Sequence, residues 1–258
     1  MHRNVVFTFG LIVYFVVVTI ALTNFDVGLF TSAIILLGLP TFLLARFSAA
    51  PSVLLLAVTC FAVGMAFLLE GAAYAYGLWY TSSSVGVEIM GFLSLEIFLI
   101  TLMKIIFLVL FYELLFDDGL YSLSKARNNF VEFGVFGISA AVLVGVISLL
   151  FDNFNDSNAY YWITIILLLS SLAMLSLRQA LTLRLINKIV HFVGVAMIPM
   201  LCIELLIVSG GHKVIIPMLY TFSFPFTNTS LSIPDFLLAI SIPAFVIVVY
   251  ELYLDDSL

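Results

Sequence analysis

The chain has 258 residues, 64% of them hydrophobic and only 9% charged, with a mean hydropathy of +1.27. This excludes an ordinary soluble domain, because apolar runs of about 18 residues or more recur along the chain, as membrane-spanning helices require. The formal net charge of −6 argues against nucleic acid as a partner, and the chain lacks the short alternating segments of a transmembrane barrel.

The first apolar run covers about residues 5–23, and Asn24 and Asp26 break it. It is long enough to span, and only His2 and Arg3 precede it as charged or titratable residues. It therefore reads as a first membrane helix, neither a cleavable signal nor an organelle transit peptide. A second run, about 27–45, contains Gly38-Leu39-Pro40, which should kink it,. Ala49-Ala50-Pro51 restarts the chain. The third run, about 51–80, carries Glu70 and ends in Tyr74, Tyr76, Trp79 and Tyr80, an interfacial aromatic cluster,.

After the loop at Thr81-Ser82-Ser83-Ser84, a long run at about 85–116 holds Glu88, Glu96, Lys104 and Glu113. Glu96 and Lys104 are eight apart, too far to touch along one helix. Residues 117–130 read as a polar loop, about 131–151 as another span, and Asp152-Asn153-Phe154-Asn155-Asp156-Ser157-Asn158 as a turn,. From Ala159 to Val208 only Gly194 and Pro199 interrupt the apolar pattern. As one helix this stretch is roughly 75 Å long, over twice a bilayer core of about 30 Å. It either turns near 178–188 or lies strongly tilted. Ser209-Gly210-Gly211 ends it, an aromatic connector with Pro217 and Pro225 follows, and a final helix runs from about Pro234 to Leu254. Cys60 and Cys202 both sit in apolar stretches and read as packing residues rather than a disulfide or metal pair,.

Two features carry chemistry. Arg184, Asn187 and His191 are spaced i, i+3, i+7, which places a fixed cation, an amide and a titratable imidazole on one helical stripe,. An Arg inside a membrane helix costs roughly 2.5–3.5 kcal/mol on insertion scales. Such a stripe suits proton movement. Arg178, Arg184 and Lys188 also fit a short basic loop on the positive-inside face,. Asp235 follows Pro234 at the start of the last helix, where it either complements the helix dipole or accepts a proton. The second feature is an echo: Tyr112-Glu113-Leu114-Leu115-Phe116-Asp117-Asp118 resembles Tyr250-Glu251-Leu252-Tyr253-Leu254-Asp255-Asp256. Two copies fit a duplicated transporter or a repeat enzyme, or only the common habit of ending membrane helices with Tyr, Leu and acids.

From near residue 170 onward the chain resembles subunit a of the F-type ATP synthase, of the mitochondrial type. The resemblance is carried by Ala180-Leu181-Thr182-Leu183-Arg184-Leu185-Ile186-Asn187 and by the final helix ending Tyr253-Leu254-Asp255-Asp256-Ser257-Leu258. The family usually has its Asn four residues after the Arg, and a Gln beyond the acidic position where Ile242 and Pro243 stand here. The resemblance implies a single all-α membrane domain over 1–258 with about five to seven helices, the last two long and strongly tilted. Residues 1–152 would supply the N-terminal helices and 159–258 the proton-channel helix pair. It implies a stator that forms two half-channels against a rotating c-ring in the mitochondrial inner membrane, or in the bacterial plasma membrane. Arg184 would face the ring carboxylate; Asp235, His191, Asn187 and Glu204 would line or relay the proton path. The expected partners are the c-ring, other membrane-sector subunits and lipid. No metal or organic cofactor is implied, and ATP chemistry would lie on other subunits.

Another stretch, Glu70-Gly71-Ala72-Ala73-Tyr74-Ala75-Tyr76-Gly77-Leu78-Trp79-Tyr80 followed by Ser94-Leu95-Glu96, looks like the small lycopene cyclase family. That family has an acid, then Gly-x-Trp, then Pro-x-Glu-Glu, in repeated halves, and the Tyr-Glu echo suits it. Here the second acid of each pair is replaced, by Ile97 after Glu96 and by Phe236 after Asp235. This resemblance implies an integral membrane enzyme acting on an apolar polyene, with Glu70 and Glu96 in its chemistry. A secondary transporter with a midplane acidic site is the third expectation.

Overall fold

The computed structural model describes residues 2–25, 27–47, 52–75, 86–89, 93–116, 166–171, 183–209, 221–223 and 229–253. Within them the protein is all-helical apart from two small ribbons. The helices are α1 (His2–Asn24), α2 (Leu29–Ala33), α3 (Leu39–Phe47), α4 (Ser52–Ala75), α5 (Leu95–Phe116), α6 (Leu183–Ser209) and α7 (Ile233–Tyr253). Residues 166–171 are also helical. Four segments are long and apolar enough to cross a membrane: Val6–Asn24, Leu29–Phe47, Leu95–Phe116 and Leu185–Ser209. The protein is a multi-pass membrane protein by this measure. The expected loop at 117–130, span at 131–151 and turn at 152–158 lie outside the described residues.

Near the end of α1 two polar side chains bond back onto the preceding turn. Thr23 Oγ1 donates to the Thr19 carbonyl at 2.9 Å and Asn24 Nδ2 to the Ile20 carbonyl at 2.7 Å, sharing carbonyls that the helix ladder already uses, a habit of short polar side chains in helices. The run containing Pro40 does not simply kink. A π-helical turn, Ile34–Gly38, joins α2 to α3. Proline lacks an N–H and its ring strikes the carbonyl four residues back, so a widened turn ahead of it relieves the clash. The Tyr14 hydroxyl of α1 donates to the Ile35 carbonyl inside that turn.

The run at 85–116 divides. Glu88–Ile89 (β1) pairs antiparallel with Leu93–Ser94 (β2), and α5 begins only at Leu95. Glu88 is thus an exposed strand residue outside any helix. Gly86, at φ 74°, turns the chain into this ribbon, a backbone region that favours glycine. Ser94 starts α5 as an N-cap, its Oγ accepting from the Ile97 N–H at 3.3 Å,.

α5 is apolar all round and buried on nearly every side, as expected of a central helix. It packs on α3, α4, α6 and α7. α6 turns inward a stripe of Leu185, Ile189, Phe192, Ala196, Met200 and Ile203, while Asn187, Val190 and His191 are exposed. A second ribbon, Thr221–Ser223 (β3) against Ser230–Ser232 (β4), precedes α7. α7 is buried without a break from Ser241 to Glu251.

Candidate functional site

One unit occurs twice: a long helix, a two-stranded antiparallel ribbon, and a second long helix packed on the first. α4, β1–β2 and α5 make one copy; α6, β3–β4 and α7 make the other. Several details coincide. In each copy the first helix carries a glutamate five residues before its last residue, Glu70 in α4 and Glu204 in α6. In each copy a serine, Ser94 or Ser232, stands immediately before the second helix. In each copy that helix has an acid in its first turn, Glu96 or Asp235. Each second helix carries Tyr-Glu near its end, Tyr112-Glu113 and Tyr250-Glu251. The Glu70 side chain lies outside the described residues.

The contacts orient the two copies. Lys104 of α5 is ion-paired with Glu204 of α6, while Phe111 and Tyr112 further along α5 meet Phe192, nearer the start of α6. α5 therefore runs antiparallel to α6. α7 does too, since Lys188 near the start of α6 pairs with Glu251 near the end of α7. Hence α5 and α7 run parallel, and their acid-bearing first turns lie toward the same end of the bundle. Glu96 is 1% exposed and Asp235 2%. The helix dipole favours a carboxylate in a first turn, which explains how an apolar helix tolerates an acid there. It does not require the acid to be sealed from solvent.

Between the two ends lies the Lys104–Glu204 ion pair, with side chains 9% and 19% exposed; Lys104 is eight residues from Glu96 and eight from Tyr112 along α5, about 12 Å from each on an α-helix. Among the described residues, no three His, Cys, Asp or Glu side chains converge closely enough to hold a metal ion.

The opposite end is aromatic. Lys188 Nζ lies 2.9 Å from Glu251 Oε1 and 4.9 Å from the centre of the Tyr112 ring. Tyr112 and Tyr250, the two members of the sequence echo, meet edge-on at 5.8 Å, and both are fully buried. Tyr112 also meets Phe192 at 5.0 Å and 90°. A cation over an aromatic face is worth about 0.5–2 kcal/mol depending on its exposure, and Lys188 is a quarter exposed, so the cation here has two partners of different kinds.

The Arg184 stripe is differently placed. Arg184 is the second residue of α6, in the first turn, where the helix dipole disfavours a cation,. Its side chain, like those of the preceding residues, lies outside the described residues. Asn187 and His191 are exposed, and His191 Nδ1 hydrogen-bonds the Asn187 carbonyl of its own helix at 2.7 Å. Asn187 and His191 face away from the core, whereas Lys188 turns toward Glu251 and Tyr112. Sequence reasoning grouped Lys188 only with a basic loop and left Lys104 without a partner. Cys60 is exposed and Cys202 buried, both as free thiols.

The chain matches no protein-family model, no curated protein and no solved structure.

Proposed function

We propose that this protein is an integral membrane enzyme of the small lycopene cyclase type, an acid catalyst that isomerises an apolar polyene by closing a ring. The observation that carries this reading is the twofold unit itself. Each copy buries one acid, Glu96 or Asp235, in the first turn of its second helix, and the parallel helices bring both acids toward one end. Carboxyl groups withdrawn from water are a common means of holding a proton donor at neutral pH. Ring closure is redox-neutral. A carboxylic acid adds its proton to one alkene carbon, the electron pair of a second alkene closes the ring, and a neighbouring C–H proton leaves to a carboxylate. The product is an isomer of the substrate. An apolar polyene would reach the bundle from the lipid, in keeping with helices that expose Val, Leu and Phe along their outer faces.

The test is expression in a host membrane that accumulates an acyclic polyene such as lycopene, with products separated by chromatography and weighed by mass spectrometry. A cyclic isomer should form, and Glu96→Gln and Asp235→Asn should each lower turnover by about 100-fold or more. A chain that is stably inserted yet leaves the polyene unchanged overturns the proposal.

A second reading has one observation in its favour. The exposed face of α6 presents Asn187 and His191, as a surface meeting the c-ring of an F-type ATP synthase would, with Arg184 in the same register and Asp235 and Glu204 as relay acids. In that case native mass spectrometry of the gently solubilised protein finds it with a c-ring, and Arg184→Ala abolishes proton-driven synthesis while the complex still assembles. A protein that purifies without rotor subunits ends this reading.

A further inference from the structure

We propose that the outward face of α6 is where two copies of this chain meet in the membrane. Along that face Asn187, Val190, His191 and Gly194 are exposed, at the i, i+3, i+4, i+7 spacing of one helical stripe. All four lie within the apolar segment Leu185–Ser209, and His191 is six residues into it, about 9 Å. An amide and an imidazole turned toward lipid give up water and find no hydrogen-bond partner in hydrocarbon. A protein partner removes that cost, and polar side chains join membrane helices in this way. The chemistry of the pair names the partner. His191 Nδ1 donates to the Asn187 carbonyl of its own helix at 2.7 Å, so Nε2 of the neutral ring is left as an acceptor. The Asn187 side-chain amide is a donor. The patch therefore carries both halves of a hydrogen bond and is complementary to itself. About a twofold axis along the membrane normal, the Asn187 amide of each copy donates to His191 Nε2 of the other. Gly194 lets the two backbones approach: a Cβ built there meets nothing within 4 Å,.

The repeated unit supplies its own comparison. With Glu70 matched to Glu204, α4 and α6 expose and bury the same positions. Leu56 is 57% exposed where Val190 is 61%, and Cys60 is exposed where Gly194 is. Val58 and Ala62 are buried where Phe192 and Ala196 are. At the positions of Asn187 and His191, however, α4 has Val53 and Ala57. The scaffold itself thus has no need of polar side chains there, and one of its two outer helices does without them. The polar pair is particular to the α6 face, as a contact made by only one copy of the unit requires. The inference stands apart from the chemistry at the acid end.

The test uses the full-length protein in phosphatidylcholine vesicles at a low protein-to-lipid ratio. Energy transfer between copies carrying donor and acceptor dyes on a C-terminal tag should report association that falls as lipid is added. Asn187→Leu and His191→Leu should each weaken that association by about tenfold or more, since each removes both symmetry-related hydrogen bonds. Gly194→Ile should weaken it as well, by holding the backbones apart, while Leu56→Ala on α4 should leave it unchanged. The altered side chains are exposed, so all four variants should unfold at the wild-type temperature in dilute detergent, where the copies are apart. A second measurement does not depend on weakened binding. Under mild copper–phenanthroline oxidation Cys60→Ser/Val190→Cys should form a covalent dimer, and Cys60→Ser/Leu56→Cys should not. Absence of energy transfer in the wild type overturns the proposal. So does wild-type association in both Asn187→Leu and His191→Leu, or a crosslink through α4 instead of α6. Recovery of the single chain bound to rotor subunits in place of its own copy also overturns it. None of these outcomes decides whether the protein cyclises a polyene.

Discussion

The Lys188 ammonium meets the Glu251 carboxylate on one side and the face of Tyr112 on the other. Glu251 is 1% exposed, and removing one partner of a buried pair strands the other. Lys188→Met should therefore destabilise the protein by on the order of 3 kcal/mol, measured by unfolding in detergent. The pair Lys188→Met/Glu251→Leu should recover much of that loss, since apolar side chains of similar volume replace both charges. An unchanged stability in the single variant would mean that the ion pair contributes nothing. His191 offers the opposite case. It is exposed, and among the described residues its bond is to its own helix turn, so His191→Ala should change stability by no more than about 0.5 kcal/mol. On the enzyme reading polyene turnover should be unaffected; loss of proton-driven ATP synthesis in the same variant would instead favour the stator.

The π turn at Ile34–Gly38 is the clearest case where an element answers to a single residue. Pro40 could not sit in a regular helix without striking a carbonyl, and Tyr14 bonds a carbonyl inside the widened turn,. Gly38 is not required there by its backbone. A Cβ added at Gly38 would meet Met103 at 3.5 Å and Ile34 at 3.6 Å, ordinary contact distances. Gly38→Ala should therefore be neutral or stabilising by up to about 1 kcal/mol in thermal unfolding; a marked loss would show that the turn needs glycine after all. The same scale explains what the sequence hid. The run at 85–116 reads as one continuous span because short apolar strands and buried helix segments cannot be separated by periodicity. The structure divides it at Ser94, where a hydroxyl caps the helix, and so moves Glu88 out of the membrane helix and Glu96 into its first turn.

At the scale of the molecule, the parallel course of α5 and α7 has a direct consequence. Both ribbons precede those helices, so both lie toward one end of the bundle. Glu88→Cys and Thr229→Cys should label with a membrane-impermeant maleimide from the same side of sealed vesicles; labelling from opposite faces would break the proposed relation of the two copies. The four long apolar segments also predict that the protein stays in the membrane pellet after alkaline carbonate treatment and needs detergent to leave it.

Much of the architecture was legible without coordinates. Asn24 at the end of α1, Ser209 before Gly210-Gly211, and the Pro234-Asp235 start of α7 are local signals, and the helices begin or end within a residue or so of them. Membrane residence and helical class follow from composition, because a chain this apolar must satisfy its backbone hydrogen bonds internally. The Tyr-Glu echo was visible as text, but whether its members meet was not. Lys104 and Glu204 are separated by 100 residues, and Lys188 and Glu251 by 63. No periodicity encodes such pairings, since they depend on which helices lie side by side and in which direction. The sequence by itself determined that this protein lives in a bilayer as a bundle of helices. The tertiary structure alone decided which few charges face one another inside it, because in an apolar medium each charge must be brought to a partner by the packing of helices far apart in the chain.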